Sequence, residues 1–134
     1  LSDRVKLFGS YTQSIAPAMH QNVDILLHPR YNDACPNAVI EALACGLPVI
    51  YSDSGGTPEL VGTEAGIGIP VERSWEQVFS PAPDLMAEAV ATMHPRLVEY
   101  KLAARKRAVE KFELEACLSR HIEVFQRPIE NPIS

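Results

Sequence analysis

The chain has 134 residues, enough for one domain around a single core, and its hydrophobic fraction of 46% is ordinary for a globular protein. A net charge of -5 runs against a nucleic-acid partner, and no apolar run reaches the roughly 18 to 20 residues that span a bilayer. Three cysteines, Cys35, Cys45 and Cys117, with no Cys-x-x-Cys spacing, argue against a disulfide framework and fit a reducing, cytoplasmic setting. His20, His28, His94 and His121 are too scattered to suggest a metal site.

Residues 5–8 form a short β-favouring run closed by Gly9 and are expected as a strand. Residues 14–20 read as a helix, with Pro17 as an awkward member. Residues 24–28 form a run that is apolar after Asp24, the pattern of a parallel strand buried on both faces. The next helix is well punctuated: Pro36 suits its first position, Gly46 its stop, and Val39, Ile40, Leu43 and Leu47 recur on one stripe. Residues 47–52 are a third strand. Gly55 and Gly56 make a turn, Thr57 is placed as an N-cap before Pro58 and Glu59, and Gly62 ends that one-turn helix. Residues 67–71 are a fourth strand.

Residues 72–83 carry Trp75 and read as a loop, with Trp75 expected to anchor it. Asp84 is placed as the cap of a helix that turns Leu85, Met86, Ala89, Val90 and Met93 inward. After Pro95 comes a helix at about residues 96–111. Its cluster Lys101, Arg105, Lys106 and Arg107 reads as a solvated face, with a membrane-surface patch as the alternative. The last helix, residues 114–125, should bury Leu114, Cys117, Leu118, His121, Ile122 and Phe125. Residues 1–127 thus read as one α/β domain, a Rossmann-like parallel sheet with flanking helices, and residues 128–134 as a frayed tail.

Ligands of open parallel sheets sit beyond the carboxyl ends of the strands. The turn at residues 30–35 lies there and feeds a helix N-terminus, whose free N–H groups and dipole favour phosphate. Asn37 and Glu41 share a face of that helix, and a carboxylate there can accept both hydroxyls of a vicinal diol such as a ribose. Asp33, in the loop, could take sugar hydroxyls. On the residues alone, Glu41 is more often a solubilising surface acid and Asp33 more often a turn former.

From Asp33 to Glu41 two acids enclose seven residues, followed by Ala42, Ala44, Gly46, Pro48 and Val49 at alternate and then adjacent positions. With Ser54 to Val61, Gly66 and Gly68 downstream, and the runs at 5–9 and 24–29 upstream, this resembles the family 4 type of glycosyltransferases (group 1 glycosyl transferases). The resemblance implies the C-terminal, nucleotide-sugar-binding half of a two-domain GT-B fold, in a truncated copy. It implies that Glu41 binds the donor ribose, that Asp33 is the acid acting on the transferred sugar, and that backbone near Ala34, Cys35, Pro36 and Asn37 meets the sugar or diphosphate. Arg30, Gly55 and Gly56 are further candidates. A retaining transfer without metal or cofactor is implied, the donor being a nucleotide-diphosphate sugar. The sequence departs from the family where its usual first Glu is Asp33, and where Arg30 stands at a position that is often Ser.

The resemblance implies a sheet order of 3-2-1-4-5-6, whose strands 1 and 2 are not in this sequence, nor is the family's acceptor domain. The sequence also lacks an initiator Met. The chain is therefore expected to be a fragment that transfers no sugar alone, whose partners are the nucleotide sugar and the acceptor domain, with membrane contact only through parts outside it. The run at residues 5–8 is expected to re-pair with 24–28, to pair in a homodimer, or to detach. Two other readings are a non-catalytic Rossmann-like module and a nucleotide-sugar epimerase, the latter disfavoured because Pro48 and Val49 precede Ser54, Gly55 and Gly56. No Gly-x-Gly-x-x-Gly supports a dinucleotide oxidoreductase.

Overall fold

In the computed structural model, residues 2–127 are described. A three-stranded parallel sheet runs in the order β1 (Leu26–His28), β2 (Val49–Ser52), β3 (Gly66–Ile69). Helices α1 (Ala16–Gln21), α2 (Asn37–Ala44) and α3 (Thr57–Val61) alternate with the strands, and α4 (Pro83–Met93), α5 (Leu97–Phe112) and α6 (Leu114–Gln126) follow. The α/β class and parallel pairing are those expected from the sequence. The foreseen tail at residues 128–134 lies outside the described residues.

Ladder chemistry trims the strands relative to their apolar runs. Leu26 N–H donates to Pro48 O at 2.9 Å, but Pro48 has no N–H to give, so β2 starts at Val49. Pro70 likewise follows the last residue of β3. Asp24 stays outside the sheet and pairs with Lys101 of α5 at 2.7 Å.

β2 is the spine, buried along its whole length. Its side chains alternate between two cores, as strand geometry requires. Val49 and Tyr51 pack with Val39 and Leu43 of α2, Val61 of α3, and Ala104 and Ala108 of α5. Ile50 faces the other way, onto Ile69 and onto Ala89 and Met93 of α4. The small α5 residues let that helix lie close against α2.

Several expectations are corrected. Residues 5–8 form no strand, and Val5, Leu7 and Phe8 are 58%, 94% and 78% exposed. A strand needs a ladder partner, and β1 pairs with β2 alone, so the run does not re-pair with residues 24–28 within the chain. The apolar stripe of α6 is not core: Leu114, Leu118, Ile122 and Phe125 are more than half exposed, and His121 is exposed too. That helix packs chiefly on α5, whose small inward residues are already used by the sheet. Leu85 on α4 is exposed as well. Thr57 is not a cap. It is the first residue of α3, wholly buried, with Gly56 at the cap position. Pro36 is the N-cap of α2 rather than its first residue, and Asp84 sits inside the first turn of α4, where its charge favours the helix N-terminus.

The basic cluster of α5 is engaged within the chain. Arg105 Nη1 donates to Ala44 O, the last residue of α2. Arg107 donates to Leu60 O at 3.0 Å and to Glu59 O, at the end of α3. Lys101 holds Asp24, and Lys106 lies 3.9 Å from Glu110. Two arginines thus supply donors and positive charge to the carbonyl ends of the two helices whose other ends face the strand termini. Arg107→Met should cost about 1–2 kcal/mol of stability, seen as a lower urea midpoint with unchanged slope.

Glu113 caps α6, its carboxylate accepting from Ala116 N–H at 2.7 Å and Glu115 N–H at 3.1 Å. Those bonds hold its carboxyl below the usual glutamate range. The cap is therefore fully present above that range and is lost as pH falls through the lowered value. Acid titration followed by circular dichroism should show α6 fraying late, and Glu113→Gln should remove the pH dependence.

Candidate functional site

The carboxyl ends of β1 and β2 feed two loops that lean on each other. The first, residues 29–36, leads from β1 into α2 and carries Arg30, Asp33, Ala34, Cys35 and Pro36. The second, residues 53–56, leads from β2 into α3 and carries Gly55 and Gly56. Asn32 takes a left-handed φ of 49°, a conformation Asn tolerates, and so reverses the chain before Asp33. Its N–H donates to Ser54 Oγ at 3.0 Å, and Ser54 Oγ is bonded in turn to Ser52 Oγ at 2.9 Å. Both serines are buried, so the network fixes the loop to the end of the central strand.

The glycine pair completes the joint. Gly56 N–H donates to Asp33 O at 2.9 Å. A Cβ on Gly56 would lie 1.9 Å from Ala34 O, and one on Gly55 would lie 2.5 Å from Asp33 O. The close approach these glycines allow is therefore to the backbone of the acidic loop itself.

Asp33 is mostly buried, its side chain 18% exposed. Its Oδ2 lies 3.5 Å from His28 Nε2 and 3.6 Å from Arg30 Nε, so the loop joins three of the charged or titratable groups at this end of β1. Pro36 is buried, while Ala34, Cys35 and Asn37 are exposed along the approach to α2. No side chain caps α2; Pro36 accepts from Val39 and Ile40 through its carbonyl, and the helix start is open to an anion. Glu41 is half-buried one turn along, on the face of Asn37, and its carboxylate has no ion-pair partner among the described residues. Among the described residues no cluster of three His, Cys, Asp or Glu could hold a metal ion, and no helix is long and apolar enough to cross a membrane.

Sequence reasoning missed His28 as a companion of Asp33. The signal was weak, since the two are five residues apart across a turn and follow no helical or strand period. It also missed Tyr31, which fixes the loop after β3. Tyr31 Oη accepts from Ser74 N–H at 2.6 Å and lies 3.0 Å from Glu72 O and Ser74 O, while its ring meets Phe79 edge-on. Trp75, expected to anchor that loop, is instead 99% exposed and lines a cavity of about 420 Å³ with Asn32, Asp53, Gly55 and Arg73. Tyr31 and Phe79 already fill the anchoring role.

A single added methyl should test the joint between the loops. Gly56→Ala must displace Ala34 O and should cost about 1–3 kcal/mol, measured by chemical denaturation.

Comparison with known proteins gives this arrangement relatives. The model of the family described as "Glycosyl transferases group 1" matches residues 1–91. D-inositol 3-phosphate glycosyltransferase of Salinispora tropica is 33% identical, over 78% of this chain and 29% of that protein. The amylovoran biosynthesis glycosyltransferase AmsK of Erwinia amylovora is 30% identical, over 95% of this chain and 31% of that protein. Among solved structures, sucrose-phosphate synthase from Thermosynechococcus elongatus shares the fold, with a TM-score of 0.77, 23% identity, and coverage of 92% of this chain and 30% of that one. The chain thus spans 29% and 31% of the length of the two curated relatives. It belongs to the group 1 glycosyl transferases, and its fold is a Rossmann-like parallel sheet with flanking helices, as in a GT-B glycosyltransferase domain.

Proposed function

We propose that this group 1 glycosyl transferase chain forms the donor side of a sugar-transfer site and binds a nucleotide-diphosphate sugar. One observation carries the reading: the uncapped start of α2 opens at the carboxyl end of the sheet with Asp33 before it and Glu41 one turn inside it. Each element suits one part of such a donor. The N–H groups at the start of α2, around Cys35 and Asn37, and the helix dipole offset the diphosphate charge as it departs. Glu41, with both carboxylate oxygens available, accepts from the two ribose hydroxyls. Asp33 accepts from the hydroxyls of the transferred sugar, while Arg30, 76% exposed, can swing between Asp33 and a phosphate oxygen.

Retaining transfer to an acceptor held by another domain, in a cytoplasmic setting and without a metal or organic cofactor, belongs to the same reading. Its support is the family and the placement of the two acids. Sugar donors from the UDP, GDP and ADP series, each beside its bare nucleoside diphosphate, provide the test by calorimetry. Glu41→Ala should weaken the nucleotide and the nucleotide sugar alike, by about tenfold or more, because both carry the ribose. Binding indifferent to Glu41 would move the donor away from α2.

A further inference from the structure

We infer that His28 is a positioning residue for Asp33, and that it selects which carboxylate oxygen meets the donor sugar. The inference rests on the donor-site reading and goes beyond it, since His28 itself touches no ligand. His28 ends β1 in register with Tyr51 of the buried central strand, so its backbone is held by the sheet. Its side chain is 14% exposed, and Nε2 is buried with no hydrogen-bond partner. A buried imidazole nitrogen calls for a partner. Among the described residues, the acid within ion-pair distance is Asp33, through Oδ2 at 3.5 Å.

Three features give the contact a direction. Nε2 is shielded from solvent and cannot reach a bound ligand, so its influence must pass through Asp33. Arg30 Nε approaches the same Oδ2 at 3.6 Å from the exposed side, so both basic groups converge on one oxygen. Oδ1 then remains the oxygen open to a sugar hydroxyl. The gap between Nε2 and Oδ2 is about 0.5 Å longer than a good hydrogen bond. A small rotation of the Asp33 side chain closes it as Oδ1 takes a hydroxyl. With its proton on Nε2, His28 donates, Oδ2 accepts, and the carboxylate is locked in the sugar-binding orientation.

The contact concerns the sugar and leaves the nucleotide alone, and the test reads that difference. Calorimetry on the full-length polypeptide that carries these residues compares UDP, GDP and ADP with UDP-glucose, GDP-mannose and ADP-glucose. The variants are His28→Leu, of similar bulk without a donor, and His28→Gln, which keeps one. His28→Leu is expected to weaken the preferred nucleotide sugar roughly tenfold, to leave its nucleoside diphosphate unchanged, and to be largely rescued by His28→Gln. A sugar-to-nucleotide affinity ratio unchanged in His28→Leu would overturn the inference. So would equal losses for both ligands together with a lowered thermal midpoint, the mark of a scaffold residue. Failure of the wild type to bind any of the six ligands would instead remove the donor site, and this inference with it.

Discussion

The candidate site depends on two backbones lying against each other. The loop before α2 and the loop before α3 meet at Asp33, Ala34, Gly55 and Gly56, closer than any residue with a Cβ allows. The backbone of Asp33 is positioned at this contact or beside it, by the Gly56 hydrogen bond to its carbonyl, the left-handed Asn32, and the buried pair of Ser52 and Ser54. The glycines matter to the geometry of the site through this close approach. They let the end of β2, the most buried strand, serve as the reference surface for a loop that would otherwise be free.

The opposite end of the domain supports the same geometry. α2 and α3 point their amino ends toward the strand termini and their carbonyl ends away, and α5 grips those carbonyl ends with Arg105 and Arg107. Together with Lys101 on Asp24, these contacts tie α5 to three separate segments of the α/β unit. An acidic chain can thus carry a basic helix whose Lys101, Arg105 and Arg107 are bonded to other segments of the same chain. Arg105 and Arg107 are directed at helix ends and Lys101 at a single acid, where their charges are locally matched.

Much of this was legible in the residues because the local rules and the tertiary demands agree. Pro36 and Gly46 bracket α2, Pro48 and Pro70 limit the ladders, and the apolar runs at 24–28 and 47–52 both supply parallel strands, but only the second is buried: β1 is confined to Leu26–His28, and its Leu27 is 49% exposed. Two of the failures share a cause. Residues 5–8 and the stripe of α6 have the composition of buried elements, but burial needs a partner surface, which periodicity cannot supply. The site was legible in its acids and helix start. It was not legible in His28, Tyr31 or the serine pair, whose roles come from contacts across turns or across some twenty to forty residues. Thr57 shows the reverse error: a good capping residue type was placed instead where its side chain is wholly buried.

The central position of β2 has a consequence for how the domain breathes. With a strand on either side and a core on each face, its amides should exchange with solvent only in the rarest openings, while α6 and the segment before α1 open freely. The acidic loop is fastened to the end of that slow strand at Ser54 and Gly56, yet it leads into α2 through exposed Ala34 and Cys35. It therefore straddles the border between the most protected and the more mobile parts of the molecule. One end of the ligand-facing segment is a fixed datum. The other is free to settle, so ordering it would slow exchange first in the opening turn of α2 and hardly at all in β2.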